Sequence, residues 1–175
     1  MRPLVFCIVG RSKTGKTTLI ERMIPYLTSK GIVVATIKHH HEPFEMDVEG
    51  KDTYRHKKAG ARAAMIVSEK RLGLVKDMEE EMGVRELVAR YMNDVDLVIV
   101  EGYKKASLPK IEVYSHREEG PVAEGDERLM AIVADRPMDA PVPVFMRDDV
   151  EAIAGFVMET LGLGSQKRER HNDIP

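Results

Sequence analysis

A single cysteine, Cys7, in 175 residues leaves the chain without an internal disulfide framework and without the thiols of a cysteine-rich metal site. It lies inside an apolar run, Leu4-Val5-Phe6-Cys7-Ile8-Val9, and reads as a small buried hydrophobe. Long hydrophobic runs are missing too: none approaches the ~20 residues of a membrane span. Met1-Arg2-Pro3 leads directly into a structural strand, so no signal peptide is expected and the cytoplasm is the expected compartment. Neither sign of charge is in excess. The formal net charge is -2, and no strongly basic segment dominates, which argues against a sequence-independent grip on nucleic acid. There is no internal repeat. What remains is a length suited to one α/β domain with a full core.

The most informative residues are Gly10-Arg11-Ser12-Lys13-Thr14-Gly15-Lys16-Thr17-Thr18. They fit G-x-x-x-x-G-K-[ST], the phosphate-binding P-loop. The apolar, β-branched run before them suits a buried parallel strand, and Leu19 to Leu27 has apolar residues at helical spacing. Strand, glycine loop and helix together turn backbone N–H groups towards phosphate oxygens at the positive end of a helix dipole. Lys16 can then reach the β- and γ-phosphates, and the Thr17 hydroxyl can ligate Mg²⁺. The bland alternative is a chance glycine turn between strand and helix.

Further along, strands and helices alternate, which predicts a mostly parallel sheet with helices on both faces. Strands are expected at 32–37, 96–101, 110–114, 129–134 and 142–145. Short helices are expected at 52–60 and 84–91, with a final helix over 150–161 capped by Asp148 or Asp149. Residues 63–68 and 72–76 read as a two-stranded ribbon around a charged turn, an insertion of about 61–77 within a single nucleotide-binding domain spanning 1–164. Its apolar content, Ile66, Val67, Leu72, Leu74 and Val75, suggests use in dimerisation, against packing within the same subunit. Residues 165–175 form a polar, charge-mixed tail expected to be disordered.

A P-loop site needs an acid at the end of a second buried strand. Asp96-Leu97-Val98-Ile99-Val100-Glu101-Gly102 supplies Glu101, which can hold a Mg²⁺-bound water or orient an attacking one, and Gly102 lets backbone approach the γ-phosphate. Asp96 begins the strand at its opposite end and is not assigned to the metal. In Lys38-His39-His40-His41, adjacent side chains alternate between faces, so three imidazoles do not converge on one ion. Lys38 and one or two of the histidines as anion contacts near the phosphates, at a strand's carboxyl end, fit better, with a solvated loop as the alternative. From Asp47 to Arg55, carboxylates, a glycine, a lysine and an arginine form either a switch segment or a turn into a helix. Asp47 is its candidate Mg²⁺ and nucleotide ligand. The Asn/Thr-Lys-x-Asp guanine signature is absent from the chain. Asp135, after a late strand, is the remaining candidate to accept guanine N–H groups, or else a turn residue before Pro137.

Taken in order, the P-loop, Ile37-Lys38-His39-His40-His41, Asp47-x-x-Gly50-Lys51-Asp52-Thr53-x-Arg55, Ala59-Gly60-Ala61, Val100-Glu101-Gly102-Tyr103-Lys104 and Pro109-Lys110-Ile111-Glu112 resemble the molybdopterin-guanine dinucleotide biosynthesis protein B family over roughly residues 3 to 160. The resemblance implies a GTP-binding P-loop fold, homodimerisation, weak intrinsic GTP hydrolysis, and an adapter role beside the guanylyltransferase of molybdenum cofactor assembly. Molybdopterin is a further candidate ligand. Arg11 and Lys13 make this P-loop more basic than the family's usual Gly/Ser-rich version. Two alternatives compete: a small-molecule or nucleotide kinase, which needs an arginine-bearing lid not evident between Leu108 and Leu129, and a GTP-driven metallochaperone.

Overall fold

Residue alternation and burial build the sheet strand by strand. The computed structural model describes residues 2–40, 42–117 and 119–163. His41 of the histidine run and the 165–175 tail lie outside them. In chain order the elements are β1 (Leu4–Val9), α1 (Lys16–Ser29), β2 (Val34–Lys38), α2 (Asp52–Lys58), β3 (Ala63–Ser68), β4 (Arg71–Lys76), α3 (Val84–Tyr91), β5 (Leu97–Glu101), β6 (Lys110–Tyr114), β7 (Leu129–Ala134), β8 (Val144–Met146) and α4 (Val150–Thr160). The chain divides into two compact units, Met1–His39 with Val88–Pro175, and His40–Leu87. The inserted segment therefore takes in α2 as well as the ribbon.

In the first unit six strands form one sheet, in the order β2-β5-β1-β6-β7-β8, and every neighbouring pair is parallel. β1 is central, with β5 on one side and β6 on the other, so strand order reverses there and the loop after β1 lies at a topological switch point. One sheet face contributes Phe6, Ile8, Leu97, Ile99, Ile111, Val113, Ala131 and Val133 to a core shared with Leu19, Ile20, Met23 and Leu27 of α1 and Val150, Ile153, Ala154 and Val157 of α4. Both helices present apolar residues at three- and four-residue spacing, which is why they cover this face. Pro25 sits within α1 on its exposed side, where the missing N–H costs the helix least.

The opposite face carries two buried charges that strand periodicity alone does not reveal. Lys110 and Glu112, two apart on β6, are each 1% exposed. Lys110 Nζ donates to the Lys104 carbonyl (3.0 Å) and pairs with Asp126. Glu112 accepts the N–H groups of Val122 (2.6 Å) and Ala123 (2.8 Å). Buried charge is tolerated only when paired and hydrogen-bonded, and here both ends are satisfied. Residues 122–126 are thereby folded back onto β6.

The second unit is held differently. β3 and β4 pair antiparallel, with Met65 opposite Leu74 and Val67 opposite Leu72. Lys57 Nζ at the end of α2 donates to the Ala61 (2.7 Å) and Arg62 (3.1 Å) carbonyls and to Asp77 (2.6 Å), tying helix to ribbon. Among its described residues the buried hydrophobics are Ala64 and Val84, whereas Met65, Ile66, Val67 and Leu72 are exposed.

Candidate nucleotide-binding site

Gly10 and Gly15 carry the loop's geometry. Gly10 has φ 142°, and a Cβ there would lie 2.3 Å from the Val113 carbonyl oxygen, so only glycine lets the loop leave β1 against β6. Gly15 has φ 96° and precedes the first turn of α1, whose ladder begins with the Leu19 N–H donating to the Gly15 carbonyl at 2.9 Å. Lys13 sits at φ 62°, a left-handed conformation that a non-glycine residue adopts at a cost of about 1 kcal/mol or more. The buried Thr14 hydroxyl donates to the Arg11 carbonyl (3.0 Å). Lys16 Nζ donates to the carbonyls of Arg11 (2.6 Å) and Gly10 (3.3 Å), folding across the loop it serves.

Glu101 ends β5 in register with Ile8 of β1 and Lys38 of β2. Its Oε1 accepts the Thr17 hydroxyl at 3.0 Å and lies 3.7 Å from Lys38 Nζ. The structure thus brings together Lys16, Thr17, Lys38, Glu101 and Gly102 at the carboxyl ends of β1, β2 and β5. Burial lowers the Lys16 pKa, as do the neighbouring Lys104 and Lys38 charges, while Glu101 acts in the opposite direction. This cationic cluster, only partly offset by Glu101, is what a polyphosphate would neutralise. A hydroxyl and a carboxylate oxygen are hard ligands that suit Mg²⁺, which ordinarily completes its shell with water and phosphate oxygens.

Behind Glu101 the chain turns sharply. Gly102 has φ 90° and Tyr103 φ 60°, two successive left-handed residues. The Tyr103 ring meets the His39 ring edge-on with centroids 4.1 Å apart, and the His39 N–H donates to the Glu101 carbonyl (3.0 Å). In the other unit, His40 Nδ1 accepts the Glu42 N–H at 3.1 Å. The described histidines of the run thus have separate partners. Among the described residues no three His, Cys, Asp or Glu side chains group as a metal site. Burial pushes the Cys7 thiol up to about 11 against the Lys110 charge, which makes it a poor metal donor.

Asp47 belongs to the His40–Leu87 unit. Its Oδ1 accepts the Thr53 hydroxyl (3.0 Å) and the Val48 N–H (2.8 Å), while Oδ2 is buried without a hydrogen-bond partner. Asp96 accepts the Val33 N–H (2.8 Å) at the far end of β5. Asp135 follows β7. Its Oδ1 takes the His116 backbone N–H (3.1 Å) and pairs with His116 Nδ1 (2.7 Å), and its Oδ2 accepts the Ser115 hydroxyl (2.8 Å). Those bonds, His116 foremost, hold its carboxyl well below the usual range. Arg147, just beyond β8, was not singled out from sequence. Its Nη1 lies 3.5 Å from where a Cβ on Gly15 would stand, against the P-loop itself.

Residues 5–135 match the family model described as Molybdopterin guanine dinucleotide synthesis protein B. The chain belongs to that family. The "Molybdopterin-guanine dinucleotide biosynthesis adapter protein" of Escherichia coli (strain K12) is 37% identical over 155 residues, which is 85% of this chain and 87% of that protein. The protein of the same name from Haemophilus influenzae is 32% identical over 151 residues, covering 86% and 85%. A solved structure titled molybdopterin-guanine biosynthesis protein B superposes with a TM-score of 0.74 at 35% identity, covering 91% of this chain and 99% of its own. For the synthesis protein B family match, the P-loop, Lys38, Asp47, Glu101 and Gly102 all fall inside the matched span and Asp135 closes it. Arg147 lies beyond.

Proposed function

We propose that this protein is a GTP-binding adapter that assists the guanylyltransferase step of molybdopterin guanine dinucleotide biosynthesis. The convergence of Lys16, Thr17, Lys38 and Glu101 on one switch-point loop carries this reading, and the names of the relatives supply its context. Lys16 and the loop N–H groups bind the β- and γ-phosphates; Thr17 and Glu101 hold Mg²⁺, which when bound neutralises charge on the phosphate oxygens. Asp135 accepts donors of the guanine ring. Hydrolysis by the isolated protein is slow: Glu101 is the group available to orient water, and Arg11, whose place in the loop equally suits an ordinary phosphate or surface contact, is the candidate for transition-state charge. The kinase alternative asks for a lid over the phosphates, whereas Val122 and Ala123, in the stretch where such a lid would be sought, are tied back onto Glu112.

The protein acts as a homodimer through the β3–β4 ribbon. Support comes from its exposed Met65, Ile66, Val67 and Leu72, which an isolated two-stranded ribbon has no means to bury. The guanylyltransferase is the expected partner, with molybdopterin a candidate shared ligand. The test is dinucleotide formation by that enzyme with the wild-type protein or Lys16→Ala added. Stimulation by the wild type and none by Lys16→Ala is expected. Equal stimulation by both would remove GTP binding from the adapter's role.

A further inference from the structure

Among the described residues the Arg147 side chain makes one hydrogen bond, from Nη2 to the Tyr114 carbonyl at 2.8 Å, and that bond leaves most of the guanidinium donors unused. Its Nε is buried with no partner among the described residues, and Nη1 lies 3.5 Å from where a Gly15 Cβ would stand. The same Nη2 stands 3.9 Å from Asp135 Oδ2. A donor edge and an acceptor oxygen are thus set side by side at the carboxyl ends of β8 and β7. The side chain is one-third exposed, so it is not sealed off from a ligand.

The direction of a bound nucleotide follows from the other half of the site. Thr17, Glu101 and Lys38 converge on the β5–β2 side of the P-loop, where in the proposed site they would hold the metal and terminal phosphate. A triphosphate lying along that loop carries its nucleoside towards the β6–β8 side, where Asp135 and Arg147 stand. Guanine presents an acceptor, O6, beside a donor, N1–H. Adenine presents the reverse, an amino donor beside an N1 acceptor.

We propose that Arg147 is a specificity-determining residue that donates to guanine O6 while Asp135 Oδ2 accepts the adjacent N1–H, so that the pair admits guanine and repels adenine. This inference rests on GTP being the bound nucleotide. Adenine would set its amino group against the guanidinium and leave Asp135 facing a lone pair. Polar groups left unpaired against the wrong base discriminate more strongly than lost apolar contact.

The test is calorimetric binding of GTP, ATP and 6-thioguanosine triphosphate, in which a weak sulfur acceptor replaces O6. Wild type, Arg147→Met and Arg147→Lys are compared, each checked by thermal unfolding. Wild type is expected to prefer GTP to the thio analogue. Arg147→Met should weaken GTP by roughly tenfold or more and bind the two equally. Arg147→Lys, which keeps one donor, should retain part of the preference even where the methionine variant folds poorly. A uniform loss for GTP, ATP and the thio analogue would mark Arg147 as a phosphate or packing residue and overturn the inference, as would an unchanged preference. Failure of the wild-type protein to bind GTP at all would instead overturn the underlying nucleotide assignment.

Discussion

At the scale of single residues, the site depends on backbone positions as much as on side chains. Gly10 is the plainest case, because a methyl group there meets the Val113 carbonyl at 2.3 Å in a backbone conformation that other residues rarely adopt. Gly10→Ala is expected to cost at least ~2 kcal/mol and to disturb the loop's N–H groups. Thermal unfolding and GTP titration of the variant measure both effects. Unchanged values in both would show that β1 and β6 yield easily. The P-loop and Glu101 were legible from sequence because each follows an apolar run long enough to be a buried strand. Arg147 was not. Its meaning depends on β8 lying beside β7 in the sheet, a neighbour relation that no local pattern encodes. Tyr103 was quoted as part of a motif, but nothing in the residue type announces φ 60°.

Among elements, the parallel strands were readable as apolar runs, and their bounds fall within two residues of expectation. Two features escaped. Residues 110–114 were expected as a strand, but nothing in Lys110 or Glu112 announces burial, and both are buried in the parallel sheet. Removing one partner of such a pair strands the other. Asp126→Asn should therefore destabilise by roughly 3 kcal/mol, whereas Lys110→Met, which removes the buried charge itself, should cost about 1–2 kcal/mol. Asp126 is held below its ordinary pKa chiefly by the Lys110 hydrogen bond. Its ionised form therefore stabilises the protein above the unfolded carboxylate pKa, and that contribution is lost as pH falls through the lowered folded value. Chemical denaturation against pH should show a constant gap between wild type and Asp126→Asn near neutrality, closing only below the ordinary carboxylate range. A gap that closes near neutrality would assign it to another group. The second feature is the extent of the insertion, since helix α2 joins the ribbon through Lys57. The ribbon's exposed apolar pair, Val67 opposite Leu72, marks the proposed dimer contact. Sedimentation of Val67→Asp with Leu72→Asp should give a folded monomer. A folded dimer of wild-type size would place the contact elsewhere.

For the whole molecule, sheet order joins the pieces. Because β1 is flanked by β5 and β6, one loop can receive Glu101 and Lys38 from one side and face Asp135 and Arg147 on the other. The proposed separation of a phosphate-and-metal end from a base-reading end would follow from the strand order, and no single motif contains it. Among the described residues no helix is long and apolar enough to cross a membrane. Family membership, the P-loop geometry and the cation cluster around Lys16 all bear on one central claim, that the chain binds a guanine nucleotide through this site. Isothermal titration with GTP and ATP in the presence of Mg²⁺, on wild type and Lys16→Ala, tests it most directly. Saturable one-site binding of GTP, clear preference over ATP and loss of binding in a folded Lys16→Ala variant are the predicted result. GTP binding that survives Lys16→Ala unchanged, or equal affinity for ATP, would contradict it.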